Sequence, residues 1–304
     1  MKKYFCVSDT HSFFYPFLDA LNSAGFDKDN PDHILIVDGD LFDRGDDSFE
    51  LYQYIRSIPK ERRVLIKGNH ERLFLDMIKR KKVIEIDDCN GTAKTFIDIA
   101  KAGNEKEFEW VDPFDLYWAE WGKQLFRRTL RINQNIKEFV KWLKSDEWVD
   151  YFELGQFIFE HSFIPLHNIG DIDIYYQYPS YKFMEAFGSW RSKATAKEKF
   201  DSRWGAPHYL YKRGFFDKEA KKRKVLVVGH WHTSDFYETL KPEMCEGEKG
   251  WIIKNTCPIF LSDHFIGLDA CTARTGRINC LVIDETEKGY EINYDQTLYQ
   301  PSEN

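Results

Sequence analysis

The chain has no cysteine framework. Its six cysteines (Cys6, Cys89, Cys245, Cys257, Cys271, Cys280) make no CxxC pair and no compact cluster, which excludes a zinc ribbon or a disulfide-stapled fold and suits reduced thiols in a cytosol. Nor is positive charge in excess. Forty-three Lys+Arg against 50 Asp+Glu leave a formal net charge of −7, so no global field exists to hold nucleic acid or an anionic membrane. The basic runs Lys79-Arg80-Lys81-Lys82 and Lys221-Lys222-Arg223-Lys224 each abut an apolar segment and read as solvated element ends. No apolar run approaches membrane-spanning length, Met1-Lys2-Lys3 enters a strand pattern directly, and no internal repeat is found. The expectation is a soluble, cytoplasmic protein with neither a membrane nor nucleic acid as partner.

Aromatic residues, by contrast, are plentiful, at 16% with nine Trp, and many fall between Trp110 and Trp204. Without a basic run beside them, they read as a helical insertion packed on a sheet and not as a base-stacking platform. Tyr4–Val7, Ile34–Val37, Val64–Ile66 and Val225–Val228 are short apolar runs rich in β-branched residues, as expected of strands buried on both faces. Phe14 to Ala24 and Phe49 to Ile58 have helical spacing, the first ending at Gly25 and the second before Pro59. The order implies right-handed βαβ units. From about 73 to 148 the pattern is helical, forming a cap-like insertion in a single domain spanning 1–304. Phe157–Phe159 restores a strand, and the late runs Ile259–Leu261, Phe265–Leu268, Ile278–Ile283 and Tyr290–Tyr294 read as strands of a second sheet packed on the first.

The early strands, and two of the later ones, stop at a polar motif: Asp9-Thr10-His11, Gly39-Asp40-Leu41-Phe42-Asp43-Arg44-Gly45, Gly68-Asn69-His70-Glu71, His161, and Gly229-His230-Trp231-His232. In sheets of this type ligands bind beyond the carboxyl ends of the strands, so these motifs gather along one edge. Asp9 and His11 together offer oxygen and nitrogen, a mixture that suits Mn, Fe or Zn better than Mg or Ca. Asp40 has two oxygens with which to bridge two cations. Asn69 can ligate without adding charge, and His70 behind it is suited to give a proton to a departing alkoxide. Taken singly, Asp43 reads as a helix N-cap, Arg44 as a surface ion pair and each strand-end histidine as a satisfied structural residue; the weight lies in the ensemble. His33, His167, His208 and His264 lack such placement and read as structural or surface residues.

In these five motifs, taken in order, the chain resembles the calcineurin-like metallophosphoesterase superfamily. Asp43-Arg44-Gly45, Gly68-Asn69-His70-Glu71 and the closing Gly267-Leu268-Asp269-Ala270-Cys271 are most similar to the branch of PPP-type serine/threonine phosphatases, including bacterial and phage members, and diadenosine tetraphosphatases. The resemblance implies an α/β fold, a four-layer α/β/β/α sandwich, around two divalent metal ions, with Mn first and Fe, Zn or Co also accepted. It implies that Asp9, His11 and Asp40 hold one metal, with His232 joining them as in the wider superfamily. Asp40, Asn69, His161 and His230 would hold the other. His70 would protonate the leaving group, Asp43 would orient it and Arg44 would grip the phosphoryl oxygens. Arg203 beside Trp204, or Arg191 beside Trp190, is the candidate for a second phosphate contact. The implied activity is hydrolysis of phosphomonoesters, with a protein serine/threonine phosphatase acting on a phosphoprotein as its narrower form; the alternatives are a nucleotide or dinucleoside polyphosphate hydrolase and a noncatalytic metal-binding module.

Overall fold

A computed structural model describes residues 1–168, 183–185, 190–212, 222–236, 244–247, 250–253 and 257–297. The strands are β1 (Lys3–Val7), β2 (His33–Asp38), β3 (Arg63–Ile66), β4 (Trp148–Val149), β5 (Phe152–Leu154), β6 (Phe157–Phe159), β7 (Leu166–Asn168), β8 (Phe183–Glu185), β9 (Val225–Val228), β10 (Met244–Gly247), β11 (Gly250–Ile253), β12 (Phe260–Leu261), β13 (Phe265–Gly267), β14 (Leu281–Thr286) and β15 (Gly289–Ile292); β1, β2, β3, β6, β9 and β12 to β15 fall on the apolar runs, whereas β4, β5, β7, β8, β10 and β11 carry no such signal in the sequence. The first sheet has the order β15-β14-β1-β2-β3-β4 and the second β12-β13-β9-β6-β5, while β7-β8 and β10-β11 are separate pairs. Neighbours from β1 to β4 are parallel, as are β6, β9 and β13.

Side-chain alternation sorts the layers. On β1 and β2, Tyr4, Cys6, Ile34 and Ile36 face the second sheet and meet Phe157, Phe159, Val227 and Ile266, whereas Phe5, Val7, Leu35 and Val37 face helices. Those helices are α1 (Phe14–Ser23), α2 (Ser48–Ser57), α3 (Asn69–Arg80) and the run α4 (Glu85–Cys89), α5 (Thr92–Lys101), α6 (Glu105–Phe108), α7 (Pro113–Trp118), α8 (Glu120–Ile132) and α9 (Gln134–Leu143). On the far side, Ile158, Leu226, Val228 and Phe265 lie beneath Phe163, Trp190 and Phe236, with short helices at Trp190–Lys193 and Pro207–Lys212. The result is helix, sheet, sheet, helix. Phe5, Val7, Leu35 and Val37 are fully buried, and each such side chain stabilises the fold by roughly 1.5–3 kcal/mol relative to exposure.

The helices between 73 and 148 share one core with the first sheet, where Phe96, Phe108, Phe126, Phe139 and Trp142 are buried. Phe139 of α9 receives Phe42, Tyr52 and Phe74 edge-on, with ring centroids 4.8, 5.1 and 5.0 Å away. Trp110, Trp118 and Trp121 instead stay exposed. The late strands correct one expectation. They do not build a sheet of their own: β14 runs antiparallel to β1 and carries β15 into the first sheet, while β12 and β13 join β6 and β9 in the second. Leu281, Val282 and Ile283 are apolar on both faces, so they fit the middle of a sheet, a preference that chain order does not reveal.

Candidate metal centre

The motifs occupy the loops beyond the carboxyl ends of β1, β2, β3, β6 and β9. The first two loops continue pairing after their strands end, with Asp9 N–H donating to Gly39 C=O at 3.2 Å and His11 N–H to Asp40 C=O at 3.1 Å. The two sheets are joined at the same edge, where His230 N–H donates to the Asp9 carboxylate at 2.9 Å, and within the second sheet Gly229 N–H donates to His161 C=O at 2.9 Å. Holding so many side chains in one place requires unusual backbone. Asp9, His11, Asp40, Asp43, Arg44 and His230 all have φ between 48° and 77°, a region that costs free energy for residues with a Cβ and that clusters at functional sites. Two glycines make room: a Cβ on Gly39 would stand 2.3 Å from His161 Nδ1, and one on Gly229 would stand 2.1 Å from Asp9 Oδ2.

Two groups of ligand atoms result, and Asp40 belongs to both: His11, Asp40 and His70 form one, and Asp40, His161 and His230 the other, each with its atoms within 4.8 Å of one another. His161 Nε2 lies 3.0 Å from Asn69 Oδ1 and 3.3 Å from Asp40 Oδ2, which adds the amide to the second group. Asp9 Oδ1 is 4.0 Å from His11 Nε2, beside the first. The outer nitrogens of two rings are already engaged. His11 Nδ1 meets Phe42 C=O at 3.0 Å and His161 Nδ1 meets Asp38 C=O at 2.9 Å, so each Nε2 is turned inward as a metal-ligating imidazole requires.

Charge in the centre is unevenly resolved. Burial, then the nearby Arg44 and His70, hold His11 well below the usual imidazole range, and burial with His161 does the same to His230; neutral rings are the form that ligates. Burial also opposes charge on Asp40 and His161, but their attraction wins: His161 rises to about 10 and Asp40 is held well below the carboxylate range. Burial and the neighbouring Asp269 push Asp9 up. A set of nitrogen, carboxylate and amide donors, inward-facing and sharing one carboxylate, fits a pair of divalent cations.

Beside the first group sits a second constellation. His70 Nδ1 is 2.8 Å from Asp43 Oδ2, and Arg44 Nη2 donates to His70 Nε2 at 3.3 Å. These partners assign the Nδ1–H tautomer, with Nε2 facing the mouth where Arg44 is exposed. Asp43 in turn accepts hydrogen bonds from Thr92 Oγ1 at 2.7 Å and Thr95 Oγ1 at 2.9 Å, both from the first turns of α5, and all three residues are fully buried.

The structure therefore brings together Asp9, His11, Asp40, Asp43, Arg44, Asn69, His70, His161 and His230. His232 lies in neither group among the described residues; its carbonyl accepts the Asp235 N–H. Arg191 binds Glu153 and lies over the Trp190 ring, and Arg203 donates to Asp150 at 2.6 Å. Glu71, to which the sequence pattern assigns no role, has a buried carboxylate that accepts from the N–H groups of Asp40, Leu41 and Gly68 at 3.2, 2.8 and 2.8 Å and so fixes the Asp40 loop against α3. The same pattern passes over Ser8, which donates to Asp9, and the Thr92–Thr95 pair. No helix among the described residues is long and apolar enough to cross a membrane.

A family model for calcineurin-like phosphoesterases matches residues 2–234. Among solved structures, the chain is similar to a candidate diadenosine tetraphosphatase (13% identity over 97% of this chain and 95% of that one, TM-score 0.42). It is also similar to a cold-active protein-tyrosine phosphatase of a psychrophilic Shewanella (13%, 96% and 80%, 0.49). A third is a protein serine/threonine phosphatase from Saccharomyces cerevisiae with similarity to human phosphatase PP5 (16%, 98% and 78%, 0.42). No curated protein sequence matches it.

Proposed function

Because the chain belongs to the calcineurin-like phosphoesterase family, we propose that it is a phosphomonoesterase working through two divalent metal ions held on either side of Asp40. The observation that carries this reading is the sharing of Asp40 between the two ligand groups, with the Asp43–His70–Arg44 constellation beside them. Asp9, His11 and Asp40 would hold one ion, and Asp40, Asn69, His161 and His230 the other. When bound, such a pair activates water and neutralises charge on the phosphoryl oxygens. The chain's own residues do the rest. Arg44 presents a planar fork to two phosphoryl oxygens, which a lysine cannot do. His70 Nε2 carries the proton for the departing oxygen, while Asp43 holds the ring by Nδ1. Mn²⁺ is the first ion to supply, and a cytoplasmic setting agrees with the free cysteines.

Phosphate release from p-nitrophenyl phosphate, bis-p-nitrophenyl phosphate, phosphoserine and phosphothreonine peptides, nucleotides and dinucleoside polyphosphates tests the reading. Turnover of monoesters supports it; cleavage confined to diesters or dinucleoside polyphosphates would overturn it.

The Thr92–Thr95 contacts predict that α5 acts in catalysis through Asp43. In Thr92→Val/Thr95→Val, turnover of an alkyl phosphate should fall about 10-fold or more, in line with loss of groups that orient an acting side chain, while p-nitrophenyl phosphate is hydrolysed normally. Thr92→Ser/Thr95→Ser should restore the alkyl phosphate rate. An equal loss on both substrates would mean that the hydroxyls serve only the fold.

A further inference from the structure

Beside the metal centre, at the carboxyl ends of β3 and β4, lies a cleft of about 510 Å³ whose lining includes Lys67, Arg72, Lys144, Lys199 and Arg203. These five cations come from three stretches of chain, 67–72, 144 and 199–203, and are matched in the lining by only two carboxylates, Asp150 and Glu71. Glu71 is committed to the backbone amides of Asp40, Leu41 and Gly68. Asp150 alone receives Lys67 at 3.2 Å, Lys199 at 3.3 Å and Arg203 at 2.6 Å. One carboxylate cannot neutralise three cations, and Arg203 Nε remains buried with no hydrogen-bond partner among the described residues. Arg72 is held by Asp76 at 3.0 Å from outside the cleft and lies over Phe200 in its wall. In a chain of net charge −7, this is a local excess of donors around a space large enough for a ligand.

The cleft adjoins the metal centre on two sides. Gly68, in its lining, precedes Asn69, and Arg203 precedes Trp204, whose ring lies 6.1 Å from that of His230. We propose that this cleft is a second phosphate subsite, which selects substrates whose leaving group carries at least one further phosphate beyond the one removed at the metal centre. Ammonium and guanidinium groups converging from several elements suit the compact, multiply charged oxyanion of an oligophosphate. An extended acidic peptide would be expected to meet its cations along an open stripe. Apart from Arg203, already a candidate phosphate contact by resemblance, the cations of this subsite lie scattered between positions 67 and 203 and form no run that the sequence would betray.

This assignment rests on the phosphoesterase reading for its catalytic meaning, but the binding it requires is measurable without turnover. Calorimetric titration of the metal-free chain with inorganic tripolyphosphate should show one site that binds at least 10-fold more tightly than inorganic phosphate. Lys144→Glu/Lys199→Glu should weaken it at least 10-fold. In the metal-loaded protein, with free Mn²⁺ held constant, tripolyphosphate should inhibit hydrolysis of p-nitrophenyl phosphate, and the double variant should lose that inhibition with kcat and KM unchanged. Tripolyphosphate binding no tighter than phosphate, or unaltered in the variant, overturns the subsite. So does a variant whose only change is a raised KM for acidic phosphopeptides, which would assign the cleft to peptide. Absence of p-nitrophenyl phosphate hydrolysis alongside variant-sensitive tripolyphosphate binding would instead count against the catalytic reading and leave the subsite standing.

Discussion

Asp40→Asn is expected to lower kcat for p-nitrophenyl phosphate by about 10³-fold or more, equivalent to roughly 4 kcal/mol of transition-state stabilisation, and to reduce bound metal below two ions per chain. The carboxylate is 2% exposed, lies within reach of His11, His70, His161 and His230, and is the only negative group common to both ligand groups. An amide of the same shape keeps the hydrogen bond from His70 N–H to Oδ1, at 2.9 Å, if its oxygen takes that place. It then turns an NH₂ toward His161 Nε2, which lies 3.3 Å from Oδ2. A bridging acceptor becomes a neutral group with a donor aimed at the ligand nitrogen. Because the side-chain volume is nearly unchanged, circular dichroism and the melting transition should show a folded protein, so the loss would report on the site. Activity within 10-fold of wild type would remove Asp40 from its central position.

His70→Asn carries the second large effect, and it should depend on the leaving group. Loss of a general acid costs about 10²–10⁴-fold when the departing oxygen needs a proton, so an alkyl phosphate should be hydrolysed that much more slowly. p-Nitrophenolate leaves readily without one, and its ester should lose far less. Metal content decides between two roles that the geometry gives this ring. His70 stands within ligand distance of His11 and Asp40, its Nε2 being 3.9 Å from Asp40 Oδ2, yet its Nδ1 is taken by Asp43 and its Nε2 by Arg44. Two ions retained in the variant, with the leaving-group dependence above, assigns the acid role. Loss of one ion with an equal fall on both esters would make His70 a ligand.

The parts of this site that were legible in the sequence are those where chemistry and strand punctuation coincide. Asp9, Asp40, Asn69, His161 and His230 each follow an apolar run, so the strand pattern alone put them on one edge; Asp40, His161 and His230 form one ligand group there, with Asn69 hydrogen-bonded to His161 and Asp9 to His230 N–H. Thr92 and Thr95 were out of reach because the carboxylate they bind lies 49 and 52 residues earlier in the chain, and hydroxyls on a helix have no pattern of their own. Glu71 stood within a recognised motif, but its task, fixing three backbone amides, exists only once the Asp40 loop has folded back on α3. The same holds for the late strands: apolar alternation shows that Leu281–Ile283 is buried and not which strand it pairs with. Asp38 and Glu160 illustrate the reverse case. They precede ligand positions in strand-like runs, are fully enclosed, and have carboxylate oxygens without hydrogen-bond partners among the described residues. Burial pushes Asp38 up to about 8 and Glu160 well above the carboxylate range.

We propose that hydrolysis depends on two ions gathered around Asp40. The most direct test is to strip the wild-type protein with a chelator, titrate Mn²⁺ back, and follow both bound metal by mass spectrometry and p-nitrophenyl phosphate hydrolysis in the same samples. No activity is expected in the stripped protein, followed by a rise that reaches its plateau at two ions per chain. Full activity after stripping, or a plateau reached with no more than one ion bound, would contradict it.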